Sequence, residues 1–190
     1  MSIPAGHLPA EALLDWWLHE DAPAETTDAV EAHLMQCDEC GRALDELVAL
    51  GDGVRAAFRA GAIAAVATAP FVEQLAGQGW RLREYRVPAG GGINCTVAPD
   101  DGLLVSRLEA ELSGVKRLDA VVESSLAPGV LHRLEDVPFE PGAGEVIWLP
   151  KIAAVRQEPA NTLVVTLLSM EAGGGREIGR YTFHHRPWSS

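Results

Sequence analysis

The stretch AHLMQCDECGRAL, Ala32 to Leu44, sets His33, Cys37 and Cys40 in an H-x-x-x-C-x-x-C spacing. On a helix, side chains four residues apart lie above one another, so the imidazole of His33 and the thiol of Cys37 reach one point. Cys40 follows within a turn, where one helix passes into the next and the exposed N-terminus of the second favours a thiolate. A closed structural zinc site takes four nitrogen or sulfur ligands, so one more must come from elsewhere. His7 and His19 are the nearby candidates. His19 stands beside Glu20 and Asp21 at the end of a helical segment, where a charged imidazole suits the helix C-terminus without any metal. His7 lies on a glycine-containing lead that can fold back, and it completes the expected Zn2+ set of His7, His33, Cys37 and Cys40.

Two other readings of the cysteines are weaker. As small buried hydrophobes beside a core histidine they would need apolar neighbours, but Asp38, Glu39, Gly41 and Arg42 surround them. A thioredoxin-like pair would follow a strand in a βαβ context, whereas this one follows a helical segment.

Outward from the motif, the period from Pro9 to about Thr68 is helical. PAEALLDWWLHED opens on a proline and carries Leu13, Leu14, Trp16, Trp17 and Leu18 before Pro23. TTDAVEAHLMQC offers Thr26 or Thr27 as N-cap, with Val30, His33, Leu34 and Cys37 on one face. A third helix is expected from Asp38 through Leu50, broken at Gly51 and Gly53, and an alanine-rich fourth from Val54 to Ala67. This makes an expected helical domain of residues 1–69.

Beyond Pro70 a short helix over FVEQLAG gives way to a period of two. LLVSRLEAEL puts Leu104, Ser106, Leu108, Ala110 and Leu112 on one face and Arg107, Glu109 and Glu111 on the other, the pattern of a half-buried strand. RLREYRV, LDAVVESS, HRLEDVPF, EVIWLP, IAAVRQ, TLVVTLLSM and IGRYTFHH follow suit, separated by Gly, Pro, Asp and Asn. Short strands without long intervening helices predict an antiparallel β-sandwich or jelly-roll over residues 70–190. The whole is an α+β chain of two domains.

Composition narrows the function. With 27 acidic and 15 basic residues in 190, the net charge of −12 repels phosphate backbones and argues against direct nucleic-acid binding. The start MSIPAGHLPAEALLDWW lacks a basic, then apolar, export signal, and the most lipid-like run, Ala60 to Phe71, falls short of the roughly 20 residues of a spanning helix. A cytoplasmic protein without a membrane anchor is expected, and there three cysteines suit metal better than disulfides.

AHLMQCDECGRAL, with His7 upstream, resembles the zinc-binding anti-sigma domain of bacterial regulators over residues 1–68. The resemblance implies an anti-sigma factor that clasps an extracytoplasmic-function (ECF) sigma factor and occludes its polymerase-binding surfaces. The β-rich remainder resembles the ChrR-type members of that family, whose second domain is a cupin. This implies a cupin-like second domain. Since the helical third holds the whole clasp, residues 70–190 are expected to sense the releasing signal, whether a small molecule or an oxidant, or else to stabilise the clasp. The sequence departs from the cupin metal motif: there is no H-x-H with a suitably spaced Glu and later His. His132, His184 and His185 therefore read as surface or satisfied histidines, the adjacent pair facing opposite ways on a strand.

No catalytic role is expected, since no Ser/His/Asp grouping, metal triad or phosphate loop stands out. A rival reading is a cupin-like small-ligand binder whose zinc helices form a dimer. Cys95 reads as a buried, inert thiol rather than a redox sensor, and Asp100 with Asp101 as a solvated turn. Trp148 and Trp188 read as core or rim, and Trp16 and Trp17 are divided between core and interface.

Overall fold

The computed structural model of the protein describes residues 6–18 and 24–189. His19 and the expected helix breaker Pro23 lie outside the described residues. The chain forms two compact units, Met1–Ala57 and Phe58–Ser190, so the expected boundary residue Pro70 falls within the second.

In the first unit, α1 spans Ala10–Leu18 and α2 spans Ala24–Leu34, beginning ahead of both threonines read as its N-cap. The third helix, α3, runs unbroken over Asp38–Arg59. The expected break at Gly51 and Gly53 is absent. A mid-helix glycine costs only about 1 kcal/mol against alanine, and here Gly51 leaves room for the Trp17 ring of α1, into which a Cβ would project. The helix ends instead at Gly61, whose φ of 69° is the left-handed conformation that stops helices and whose N–H returns to the Phe58 carbonyl at 2.9 Å. The separate fourth helix over Val54–Ala67 does not form, because its first residues continue α3 and its last are a strand. Thus three helices, not four, lie ahead of the β-structure among the described residues.

The second unit runs β1 (Ala65–Ala67), α4 (Ala69–Gly77), β2 (Leu82–Val87), β3 (Gly92–Cys95), β4 (Leu103–Glu109), β5 (Leu118–Ser124), β6 (Leu131–Leu134), β7 (Glu145–Leu149), α5 (Ile152–Val155), β8 (Asn161–Glu171) and β9 (Gly174–His185). One sheet has the order β1-β7-β4-β2 and the other β3-β9-β8-β5-β6. Side chains from both sheets, among them Val87, Leu108, Val146, Leu118, Val165, Tyr181 and Phe183, form one core, as in a sandwich. Tyr181 ties the layers: its hydroxyl donates to the Glu109 carbonyl at 2.7 Å.

The sheets are not wholly antiparallel. The pairs β2–β4 and β3–β9 are parallel, because the chain leaves the first sheet after β2, adds β3 to the second and returns as β4. IAAVRQ, read as a strand, is instead the single turn α5; six apolar-leaning residues do not distinguish the two periods. Its Ile152 is buried and its Ala153 N–H bonds the Gly61 carbonyl at 3.2 Å. The β4 strand is buried on both faces rather than one. Leu104 and Leu108 point into the sandwich, while Leu103 and Val105 pack with Val72 and Leu75 of α4. Arg107 is buried with its charge met by Glu84 at 2.9 Å and Glu145 at 2.6 Å.

Asp100 is exposed beside Arg81, but Asp101 is no solvated turn residue. It is buried, accepts from Arg83 at 2.8 Å and from the Ala98 N–H at 2.7 Å, and anchors the loop before β4. Trp188 is exposed at the rim beneath the Arg83 guanidinium, and Trp148 is half-buried against the core.

Candidate metal centre

The motif bridges two helices, and Cys37, read on the same helix as His33, lies beyond its end. α2 ends at Leu34, so His33 occupies its last turn. The Cys37 carbonyl accepts from the Gly41 N–H at 3.1 Å, and its thiol accepts from the Cys40 N–H, so Cys37 is the N-cap of α3. The helix-terminus effect expected for Cys40 therefore acts on Cys37. Its thiol is pulled down to about 6, first by the Cys40 N–H and then by His7. Cys40 sits one turn into α3, and its burial pushes its thiol up.

His7, Cys37 and Cys40 come together, each offering a ligand atom within 4.8 Å of the others. His7 Nδ1 lies 3.3 Å from Cys37 Sγ and 3.9 Å from Cys40 Sγ. His33 stands at the edge of this group, its Nε2 3.3 Å from Cys40 Sγ. These separations fit a metal. Bonds of about 2.0–2.1 Å to nitrogen and 2.3 Å to sulfur place tetrahedral ligand atoms roughly 3.3–3.8 Å apart, and the donor set is the one zinc takes. Three residues are thus positioned for a metal, with a second imidazole adjacent.

Two further groups hold the donors in place. His7 Nε2 lies 2.5 Å from a carboxylate oxygen of Glu39. A carboxylate only accepts, so Nε2 carries a hydrogen, and Nδ1 is the ring atom that faces the sulfurs and would present its lone pair to a bound metal. The hydrogen bond to Cys37 and then the Glu39 charge raise the His7 pKa above its ordinary value. The Leu8 N–H donates to Cys40 Sγ at 3.2 Å, which pins the lead segment onto α3. Sequence reasoning treated Glu39 only as a polar neighbour. Its place between the two cysteines, facing outward from the first turn of α3, was the available signal.

Among the described residues, three further histidines lie in the β-unit. His184 is exposed with Nδ1 3.3 Å from Thr162 Oγ1, and His132 is exposed on β6. His185 is buried with neither ring nitrogen partnered, so it is not the surface or satisfied histidine that was expected.

Residues 9–41 match the family described as "Putative zinc-finger", a segment that includes His33, Cys37 and Cys40 and begins just after His7. No curated protein matches the chain. Among solved structures, the N-terminal domain of phage TP901-1 ORF48 is similar at 13% identity and a TM-score of 0.36, over 57% of this chain and 98% of that one. Among the described residues no helix is long and apolar enough to cross a membrane. The N-terminal unit therefore carries a zinc-finger-like segment of the kind characteristic of anti-sigma factors, with its sulfur and nitrogen donors gathered at the junction of α2 and α3.

Proposed function

We propose that the protein is a cytoplasmic anti-sigma factor that binds and inhibits an ECF-type sigma factor through the zinc-binding helical domain of residues 1–69. The convergence of His7, Cys37 and Cys40 within and beside the zinc-finger match carries this reading. In this reading His33, whose Nε2 lies 3.3 Å from Cys40 Sγ, is the fourth ligand. Zinc bound there supplies folding free energy and no catalysis. The residues of the chain do the rest: Cys37 caps α3, Glu39 orients His7, and the junction fixes α2 against α3.

The helices hold more apolar surface than they bury. Leu18, Leu50 and Val54 are exposed, the last two one turn apart on α3 and flanking Gly51. Apolar side chains of this kind on an acidic chain suit a protein partner and not a nucleic acid. The β-unit, a cupin-like sensor in this reading, sets when the partner is released. Purifying the tagged full-length chain from its native cells should recover a sigma factor in stoichiometric amount. The purified chain should inhibit that factor's transcription in vitro, and Cys40→Ser should abolish both. A zinc-loaded chain that neither retains nor inhibits a sigma factor would refute the reading.

A further inference from the structure

The β-unit carries a partly open cavity of about 410 Å³ that the zinc chemistry does not use. Its volume lies within the roughly 300–1,000 Å³ range of small-molecule sites. The walls are largely apolar, with Val122, Trp148, Leu163 and Phe183 among them. His185 stands in the same wall. Along β9 the side chains Tyr181, Phe183 and His185 are buried in alternation with exposed Arg180 and His184, so the imidazole faces the sandwich interior.

The imidazole is 5% exposed and neither Nδ1 nor Nε2 has a hydrogen-bond partner. Its register neighbours do not supply one. Asn161 is committed to Glu158 at 2.8 Å and to the Pro159 carbonyl at 3.1 Å, and Cys95, opposite on β3, makes no bond to it. An unsatisfied buried polar group costs about 1–3 kcal/mol, so a native fold that keeps one has a use for it. A water does not answer the whole observation, since one occupies about 30 Å³ and needs two to four polar partners.

We infer that this cavity is a binding site for a small uncharged organic molecule, apolar over most of its surface and carrying one hydrogen-bonding group that His185 receives. The charges of the walls favour the uncharged class: one cation, Lys151, and one anion, Glu158, line the cavity, which leaves its lining without a net charge. The Cys95 thiol, also in the wall, is pushed up to about 11 by burial and stays neutral, which makes it a poor nucleophile and a poor oxidant sensor. The site is independent of the sigma-factor reading and holds whether or not that reading does.

The test uses the full-length, zinc-loaded chain and two probes that fluoresce in apolar surroundings: N-phenyl-1-naphthylamine, which has one N–H, and 1-phenylnaphthalene, which has none. The first should bind saturably at one site, roughly five- to tenfold tighter than the second. Val122→Trp, which fills the cavity, and Ala154→Trp, on its exposed wall where folding is not at risk, should each weaken binding at least tenfold with zinc content unchanged. In His185→Phe both probes should bind with equal affinity. Unsaturable binding to the native chain, or native affinity in both tryptophan variants, would overturn the site. A preference for the N–H probe that survives in His185→Phe would overturn the role of the imidazole.

Discussion

Among the described residues ahead of Phe58, only Leu13, Val30 and Cys40 are buried apolar side chains, and one of these is a candidate metal donor. The β-unit has a two-sheet core and two satellite clusters, and it buries charged groups as well. The contrast shows two ways of holding a fold. A helical unit of this size exposes too much surface to be stable by burial alone, and in the proposed reading donors gathered by a metal would replace part of the missing core. The β-unit has no such need.

Removing the metal should break the comparison most sharply. Structural zinc contributes on the order of 10 kcal/mol to small metal-dependent folds, as much as the entire stability of a typical domain. Chelation, or Cys40→Ser in the full-length chain, should therefore erase most of the helical far-ultraviolet signal while the β-unit keeps its own cooperative thermal transition. Glu39→Gln should be milder, weakening zinc affinity about 10- to 100-fold through the orientation of His7, and competition with a chelator would read this directly. Helices that persist without metal would mean the small core suffices.

Acid should separate the units by pH. Zinc requires thiolates and neutral imidazoles, so protons displace it and the helical unit unfolds first as pH falls. The β-unit resists because of groups such as Asp119, which is fully buried and accepts from Arg117 at 3.1 Å, Arg133 at 2.7 Å and the Asp136 N–H at 3.1 Å. The Arg117 guanidinium first, then Arg133 and the Asp136 N–H, hold its carboxyl well below the usual carboxylate range. A depressed folded pKa adds stability above the unfolded value of about 3.9, and that stability is lost as pH falls below it. Two acid transitions are expected, the loss of zinc and helix at the higher pH and the loss of sheet below about 4. A single merged transition would contradict the independence of the units.

The gathering of candidate donors was legible because their chemistry is carried by residue type and spacing, and the cysteines lie close enough in sequence to be read locally. Their geometry was less legible. Cys37 was read on α2, but the same residue as a helix N-cap serves the metal equally well, and spacing alone does not separate the two. The strands of the second unit were legible from alternation, and of the seven runs read besides β4, six, β2 among them, became strands or parts of strands. IAAVRQ failed because it is shorter than a helical repeat can declare. The cavity could not be read at all: His185 was one of a pair on a strand, and only the closing of two sheets leaves its nitrogens unpartnered.

The smallest effect tests the misread glycines, at the level of a single methyl group. Gly51 and Gly53 both lie inside α3, where alanine is the better helix former by about 1 kcal/mol. At Gly53 a Cβ meets nothing within 4 Å, so Gly53→Ala should stabilise the helical unit by roughly 0.5–1 kcal/mol. At Gly51 the same methyl enters the Trp17 ring, which also carries the Arg55 guanidinium 5.3 Å from its centroid. Displacing a packed indole costs about 1–3 kcal/mol, more than the propensity gain, so the sign should reverse. Thermal melts of the zinc-loaded variants, followed by helical signal, compare the two directly. If Gly51→Ala is as stabilising as Gly53→Ala, then α1 does not pack on α3 through Trp17, and the helical unit rests on its metal donors more completely than the buried side chains indicate.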